Sequence, residues 1–256
     1  MNHLFDRRKA LAAFGSVSLG TLLAACGDDG PTTRTSVPTT DGAAATVEPQ
    51  TSTSAATSER FDSSARCRVA TEQTEGPYYF DVDAIRSDIR EDRKGTLLRL
   101  AIRVRDAESC EPIENAVVDV WHCDALGLYS GFESASQGRP GGGGGPTDEE
   151  TYLRGAQVTN AQGVVEFKTV YPGWYPGRTT HIHAKVHIDR RTVLISQLYT
   201  SAAFDEKVHA DVPYSEDVGR DTFNEGDPFY ARDLELTLSE AQDGVLGVMT
   251  FDVARS

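Results

Sequence analysis

From residue 97 onward the chain is written in short runs of apolar and β-branched residues, and that rhythm decides what it can fold into. The runs at 97–104, 116–122, 152–159, 164–170, 180–188, 192–199, 234–238 and 245–253 are short and rich in Val, Ile, Leu, Thr and Tyr, the composition of strands rather than helices. Turn-forming residues separate them. Asn160-Ala161-Gln162-Gly163 and Asp243-Gly244 read as hairpin turns, and Asp189-Arg190-Arg191 as a third. About eight short strands with few helical patterns predict an all-β fold, an antiparallel β-sandwich or barrel. Residues 134–150, with an unbroken glycine run from Gly141 to Gly145, cannot continue a strand and are expected to form a mobile loop that can edge the mouth of a site.

The N-terminal 60 residues are of another kind. Arg7-Arg8-Lys9 precede an uncharged run over residues 10–25, shorter than a comfortable membrane span and laid out as an export signal, with a twin-arginine pair of the type that addresses folded proteins. Leu23-Ala24-Ala25-Cys26 looks like a lipobox, so residues 1–26 are expected to be a signal whose Cys26 is lipidated. Residues 27–60 are Thr, Ser, Ala and Pro with almost no large apolar side chain, and are expected to be a disordered tether. Residues 61–256 then form one domain, exported and either lipid-anchored on the outer face of the cell membrane or secreted. The formal net charge of −14 argues against nucleic acid and against charge-driven binding to anionic lipid, leaving Cys26 as the membrane contact. With Cys26 assigned to lipid, Cys67, Cys110 and Cys123 remain in an oxidising compartment, where Cys67 is expected to pair with Cys123 or with Cys110. The Cys-x-x-Cys spacing of a thiolate metal site is absent.

Chemistry is concentrated in Tyr171-Pro172-Gly173-Trp174-Tyr175-Pro176-Gly177-Arg178-Thr179-Thr180-His181-Ile182-His183. On a strand, side chains alternate, so His181 and His183 share a face with their α-carbons roughly 6.6 Å apart, and Ile182 takes the other. Two imidazoles so placed can lean onto one metal ion, although His-x-His on a strand also fits an exposed or hydrogen-bonded pair. The Pro-Gly pairs place Tyr175 and Arg178 on a tight loop able to fold back over the histidines. A second patch, Val117-Val118-Asp119-Val120-Trp121-His122 running on to Tyr129, ends a strand and presents a phenol on a loop with Gly127 and Gly131. His122, His187 and His209 lack a partner at ligand spacing and read as structural. Asp119 and Asp124 read as solvated or turn residues.

Together with Thr74-Glu75-Gly76-Pro77-Tyr78-Tyr79, these motifs resemble the intradiol ring-cleavage dioxygenases over roughly residues 67–253. The resemblance implies a β-sandwich holding one non-haem ferric ion, Fe(3+), per chain through Tyr129, Tyr175, His181 and His183. It also implies an active-site arginine at Arg178, a supporting glutamine at Gln197, and a catechol-type diphenol and O2 as substrates. Pro77, Tyr78 and Tyr79 are candidates for the pocket wall. The loop from the second tyrosine to the first histidine is shorter than in the cytoplasmic catechol enzymes. Their long helical N-terminal segment is missing, so their dimerisation mode is not carried over, and the wording is closer to a secreted branch. The alternative is an exported, lipid-tethered β-sandwich binding module whose histidines hold zinc, copper or nothing; it has no use for two converging phenols.

Overall fold

The computed structural model describes residues 35–38, 44–47, 55–61, 67–80, 82, 84–136, 146–189 and 191–254. The signal and lipobox expected over residues 1–26 lie outside the described residues. So does most of the stretch expected to be a tether. Within it, Thr35–Pro38 (β1) pairs antiparallel with Ala44–Val47 (β2), and Ala55–Ser58 (α1) makes one helical turn. Phe61 is already part of the domain, buried with Ala101, Val164, Leu246 and Val248.

Each of the strand-forming runs becomes a strand. They are Leu97–Asp106 (β3), Val117–Trp121 (β4), Arg154–Val158 (β5), Val164–Val170 (β6), His181–Ile188 (β7), Arg191–Tyr199 (β8), Thr237–Ala241 (β9) and Gly244–Val253 (β10). The two four-stranded sheets run β6-β3-β10-β9 and β5-β4-β7-β8. Alternation sends Leu98, Leu100, Ile102 and Val104 of β3, Val118 and Val120 of β4, and Ile182, Ala184 and Val186 of β7 into one core between the sheets. Fully burying a side chain such as Ile182 stabilises the fold by about 2–3 kcal/mol.

Four details differ from the pattern expected. β3 and β10 pair in parallel over their whole length, Leu97 opposite Gly244 and Asp106 opposite Val253. Asn160 to Gly163 do form a tight turn, with the Gly163 amide donating to the Asn160 carbonyl. That turn carries the chain from β5 in one sheet to β6 in the other, because both inner faces need covering, so it is not a hairpin. The run at 234–238 begins in a 3-10 turn, Arg232–Leu234, and β9 starts later at Thr237. A short helix, Ala202–His209 (α2), was not legible in the sequence; Ser201 caps it and its Asp205 is buried.

The open cysteine choice resolves to Cys67–Cys110, and Cys123 is a buried free thiol. The bridge anchors the start of a strap that runs beside β8 and the end of β10. The Ala70 amide donates to the Asp252 carbonyl, the Gln73 amide to the Ile195 carbonyl, and the Ser196 hydroxyl to the Thr71 carbonyl. Among the described residues no helix is long and apolar enough to cross a membrane.

Candidate metal centre

The outer face of the β5-β4-β7-β8 sheet carries the site. Strand register aligns Arg154, Trp121, His183 and Gln197 as one cross-strand row, with His181 opposite Tyr199 in the next row on that face. An outward face is ordinarily polar because water covers it. Here irregular segments cover it instead, and His181, His183, Trp121, Arg154 and Gln197 are all buried.

The period-two reading of His181 and His183 holds, with ring centroids 4.9 Å apart and Ile182 in the core behind. Tyr175 folds back as expected, since the Arg178 amide donates to the Tyr175 carbonyl across a turn at Gly177. Its hydroxyl stands 3.2 Å from His181 Nε2. Tyr129 arrives from the loop after β4, with its hydroxyl 3.4 Å from the same nitrogen. Gly127 lets the two loops meet: it sits at φ +79°, and a Cβ there would lie 2.3 Å from the Trp174 carbonyl oxygen.

The pattern of donors is over-subscribed for hydrogen bonding alone. His181 Nδ1 lies 2.6 Å from the Thr179 carbonyl and must donate to it, leaving a single lone pair at Nε2 for two phenols. Buried His183 Nδ1 has no partner among the described residues. Two donors that share one ion at about 2 Å and a near-tetrahedral angle lie roughly 3.3 Å apart, so the observed separations suit a common cation as well. Among the described residues no three of His, Cys, Asp and Glu group as a metal set, so any ion here would take its oxygen ligands from phenols.

Burial sets the protonation states. It holds His181 and His183 well below the usual imidazole range, with Arg178 adding to the effect, so both rings are neutral with lone pairs free. It pushes Tyr129 well above the phenol range and raises Tyr175, against the pull of Arg178. Both phenols therefore carry protons until a cation displaces them.

Arg178 is locked from several sides. Its Nε donates to Asp227 Oδ2 at 2.8 Å, one Nη to Gln197 Oε1 at 2.5 Å, and the other reaches the Tyr175 hydroxyl at 3.4 Å. Burial alone would lower its pKa, but Tyr175 and Asp227 outweigh that and keep it cationic. Gln197 is itself held, its amide donating to the Thr74 carbonyl of the strap. Nothing in the local sequence singles out Asp227. It also accepts from the Thr179 and Phe229 amides, and its place between Gly226 and Pro228 looks like any turn aspartate.

Of the pocket-wall candidates, Tyr78 packs with its ring centroid 4.8 Å from that of Tyr129, and Tyr79 lies 4.7 Å from Trp121, which stacks on His183. His122 is structural as read, buried with its nitrogens 2.7 Å from the Cys123 carbonyl and from Thr169 Oγ1. Asp119 and Asp124 are both buried rather than solvated; Asp124 turns the Tyr129 loop by accepting from the Leu126 and Leu128 amides. Residues 137–145 of the glycine-rich segment lie outside the described residues, but its return limb ties beside Tyr129, Asp148 accepting from the Gly131 amide at 2.7 Å.

Residues 74–225 match a family model described as dioxygenase. The solved intradiol ring-cleavage dioxygenase from Tetranychus urticae is similar, at 33% identity and a TM-score of 0.69 over 73% of this chain and 95% of that one. The dioxygenase domain of a carbohydrate-binding fusion from Streptomyces sp. SirexAA-E is similar at 26% identity and a TM-score of 0.56, over 74% and 100% of the two chains. Chlorocatechol 1,2-dioxygenase of Rhodococcus opacus is 31% identical over 130 residues, 43% of this chain and 46% of that one. The chain spans about half the length of the curated relatives it matches. It belongs to the intradiol ring-cleavage dioxygenase family.

Proposed function

We propose that this protein binds one ferric ion through Tyr129, Tyr175, His181 and His183 and uses dioxygen to cleave a catechol-type ring between its two hydroxyl-bearing carbons. The observation that carries the reading is the convergence of two phenols on one imidazole lone pair in a buried site. Two phenolates and two neutral imidazoles leave a trivalent ion with a net charge near +1, which suits a dianionic catecholate. Phenolates are hard donors that favour ferric over ferrous iron. Bound iron would serve as a Lewis acid toward the substrate, moving electron density so that the ring reacts with dioxygen. The reaction balances without another reductant: one carbon–carbon bond breaks, both oxygen atoms enter the product, and a muconate-type diacid results.

The chain's own groups have distinct tasks. Tyr175 is the less buried phenol of the pair, so it is the one that yields its place to substrate, and its burial-raised pKa makes it a strong base for a catechol proton. Tyr129, fully buried, stays where it is. Arg178, held rigidly by Asp227 and Gln197, presents a preorganised positive charge beside the Tyr175 hydroxyl, where charge on the reacting ring is stabilised without reorganisation. Gln197 positions Arg178. The export signal and lipobox wording of residues 1–26 supports placing this chemistry outside the cell membrane, on a lipid tether.

Iron-loaded protein is expected to be reddish from phenolate-to-iron charge transfer, and to consume oxygen with a panel of catechols, giving the ring-opened diacid. Tyr129→Phe and Tyr175→Phe should each shift or bleach the band. A colourless iron-loaded protein would overturn the ligand set.

A further inference from the structure

Arg154 is a buried charge with no task in the chemistry above. It is 1% exposed, on β5 in the row that continues through Trp121 to His183. Its guanidinium donates twice to Ser130: Nε to the hydroxyl oxygen at 2.8 Å and one Nη to the backbone carbonyl at 2.7 Å. The other Nη has no partner among the described residues. Its guanidinium lies 4.3 Å from the Phe80 ring centroid and 5.8 Å from that of Phe132. Burial pulls its pKa down to about 10, which leaves it cationic at neutral pH.

Burying a guanidinium with no carboxylate in hydrogen-bond reach is expensive, and an apolar side chain of the same volume would fill the space at lower cost. What an apolar side chain cannot do is grip two atoms of one residue in a fixed plane. The residue gripped is the one after Tyr129. Its hydroxyl donates onward to the Tyr152 carbonyl at 2.6 Å, and on the other side the Tyr129 amide donates to the Ser136 hydroxyl. Gly131, at φ +76°, closes the turn against Phe80, where a Cβ would come within 2.5 Å of the ring. The backbone that carries the Tyr129 phenol is thus held on one side at Ser136 and on the other through Ser130, which Arg154 grips at two atoms.

We propose that Arg154 is a positioning residue for the metal centre, its fork on Ser130 setting where the Tyr129 hydroxyl stands relative to His181. The proposal rests on the ligand set assigned above. Purified wild type, Arg154→Lys, Arg154→Met and Ser130→Ala are compared for thermal stability without metal, ferric iron affinity, and position of the phenolate-to-iron band. Arg154→Lys keeps the charge but cannot hold both Ser130 atoms. It should displace the band and weaken iron binding about ten- to a hundredfold, the usual effect of losing a partner behind a ligand. Ser130→Ala, which removes one of the two bonds, should move the band the same way by less. Folded Arg154 variants with wild-type band and affinity, even if less heat-stable, overturn the proposal. If neither Arg154 variant folds, Ser130→Ala decides: a displaced band supports it and an unchanged one overturns it. Wild type that binds iron without any such band defeats the ligand set instead, a separate failure.

Discussion

Arg178 shows how one side chain serves both stability and chemistry. Removing it leaves the wholly buried Asp227 carboxylate without its cation, which typically costs about 3–5 kcal/mol. Arg178→Ala should therefore be much less stable and also about a hundredfold or more slower, while still binding iron. Adding Asp227→Asn should restore most of the stability and none of the turnover, measured by thermal melts and oxygen uptake side by side. His122 makes a pH prediction. Burial drops its pKa to about 4, so between the unfolded value of about 6.5 and pH 4 the unfolded chain binds the extra proton and stability falls as pH falls. The loss is on the order of 3 kcal/mol. His122→Gln should flatten the acid limb of a stability-against-pH curve, though not abolish it, because His181 and His183 titrate in the same sense. At this scale the histidine pair was legible because a period of two is local, and Arg178 because it shares the turn. Asp227 was not: its partner lies 49 residues away, and no pattern in one sequence links them.

At the scale of elements, the site is two loops pressed together over one sheet face. Gly127 is one of the points of contact. Gly127→Ala must push the Trp174 carbonyl aside and hold an L residue at positive φ, so it should cost about 1–3 kcal/mol and loosen Tyr129 and Tyr175 together. Lower iron affinity accompanied by a broadened visible band is the expected result. The strands themselves were readable from β-branched alternation and turn residues, with boundaries within a residue or two for most of them. The helix α2 was hidden because eight residues with a single buried apolar side chain, Val208, carry no helical stripe. Its contribution is polar: Asp205 accepts from the Tyr171 hydroxyl and from Arg220, which also reaches Thr179 at the head of β7. The turn at Asn160–Gly163 was legible as a turn but not as a crossing between sheets, since turn chemistry does not state which strand comes next.

The whole molecule is held by a staple and a seam. The Cys67–Cys110 bridge spans 43 residues, and in the chain-entropy picture a loop of that size contributes about 4 kcal/mol. Reduction or Cys110→Ser should lower stability by roughly 2–4 kcal/mol, with hydrogen exchange rising first in residues 67–80, the strap that supplies Thr74 to Gln197 and Tyr78 to the phenol cluster. A uniform rise across both sheets would contradict the strap's role. The seam is the parallel match of β3 with β10. Its consequence lies in time: a nascent polypeptide that has not yet delivered Gly244–Val253 leaves Leu97–Asp106 with a bare flank, so the sandwich can shut only once that strand has emerged. A prematurely stopped product would then be a sticky half-sheet, offered to chaperones and proteases rather than left as a smaller working domain.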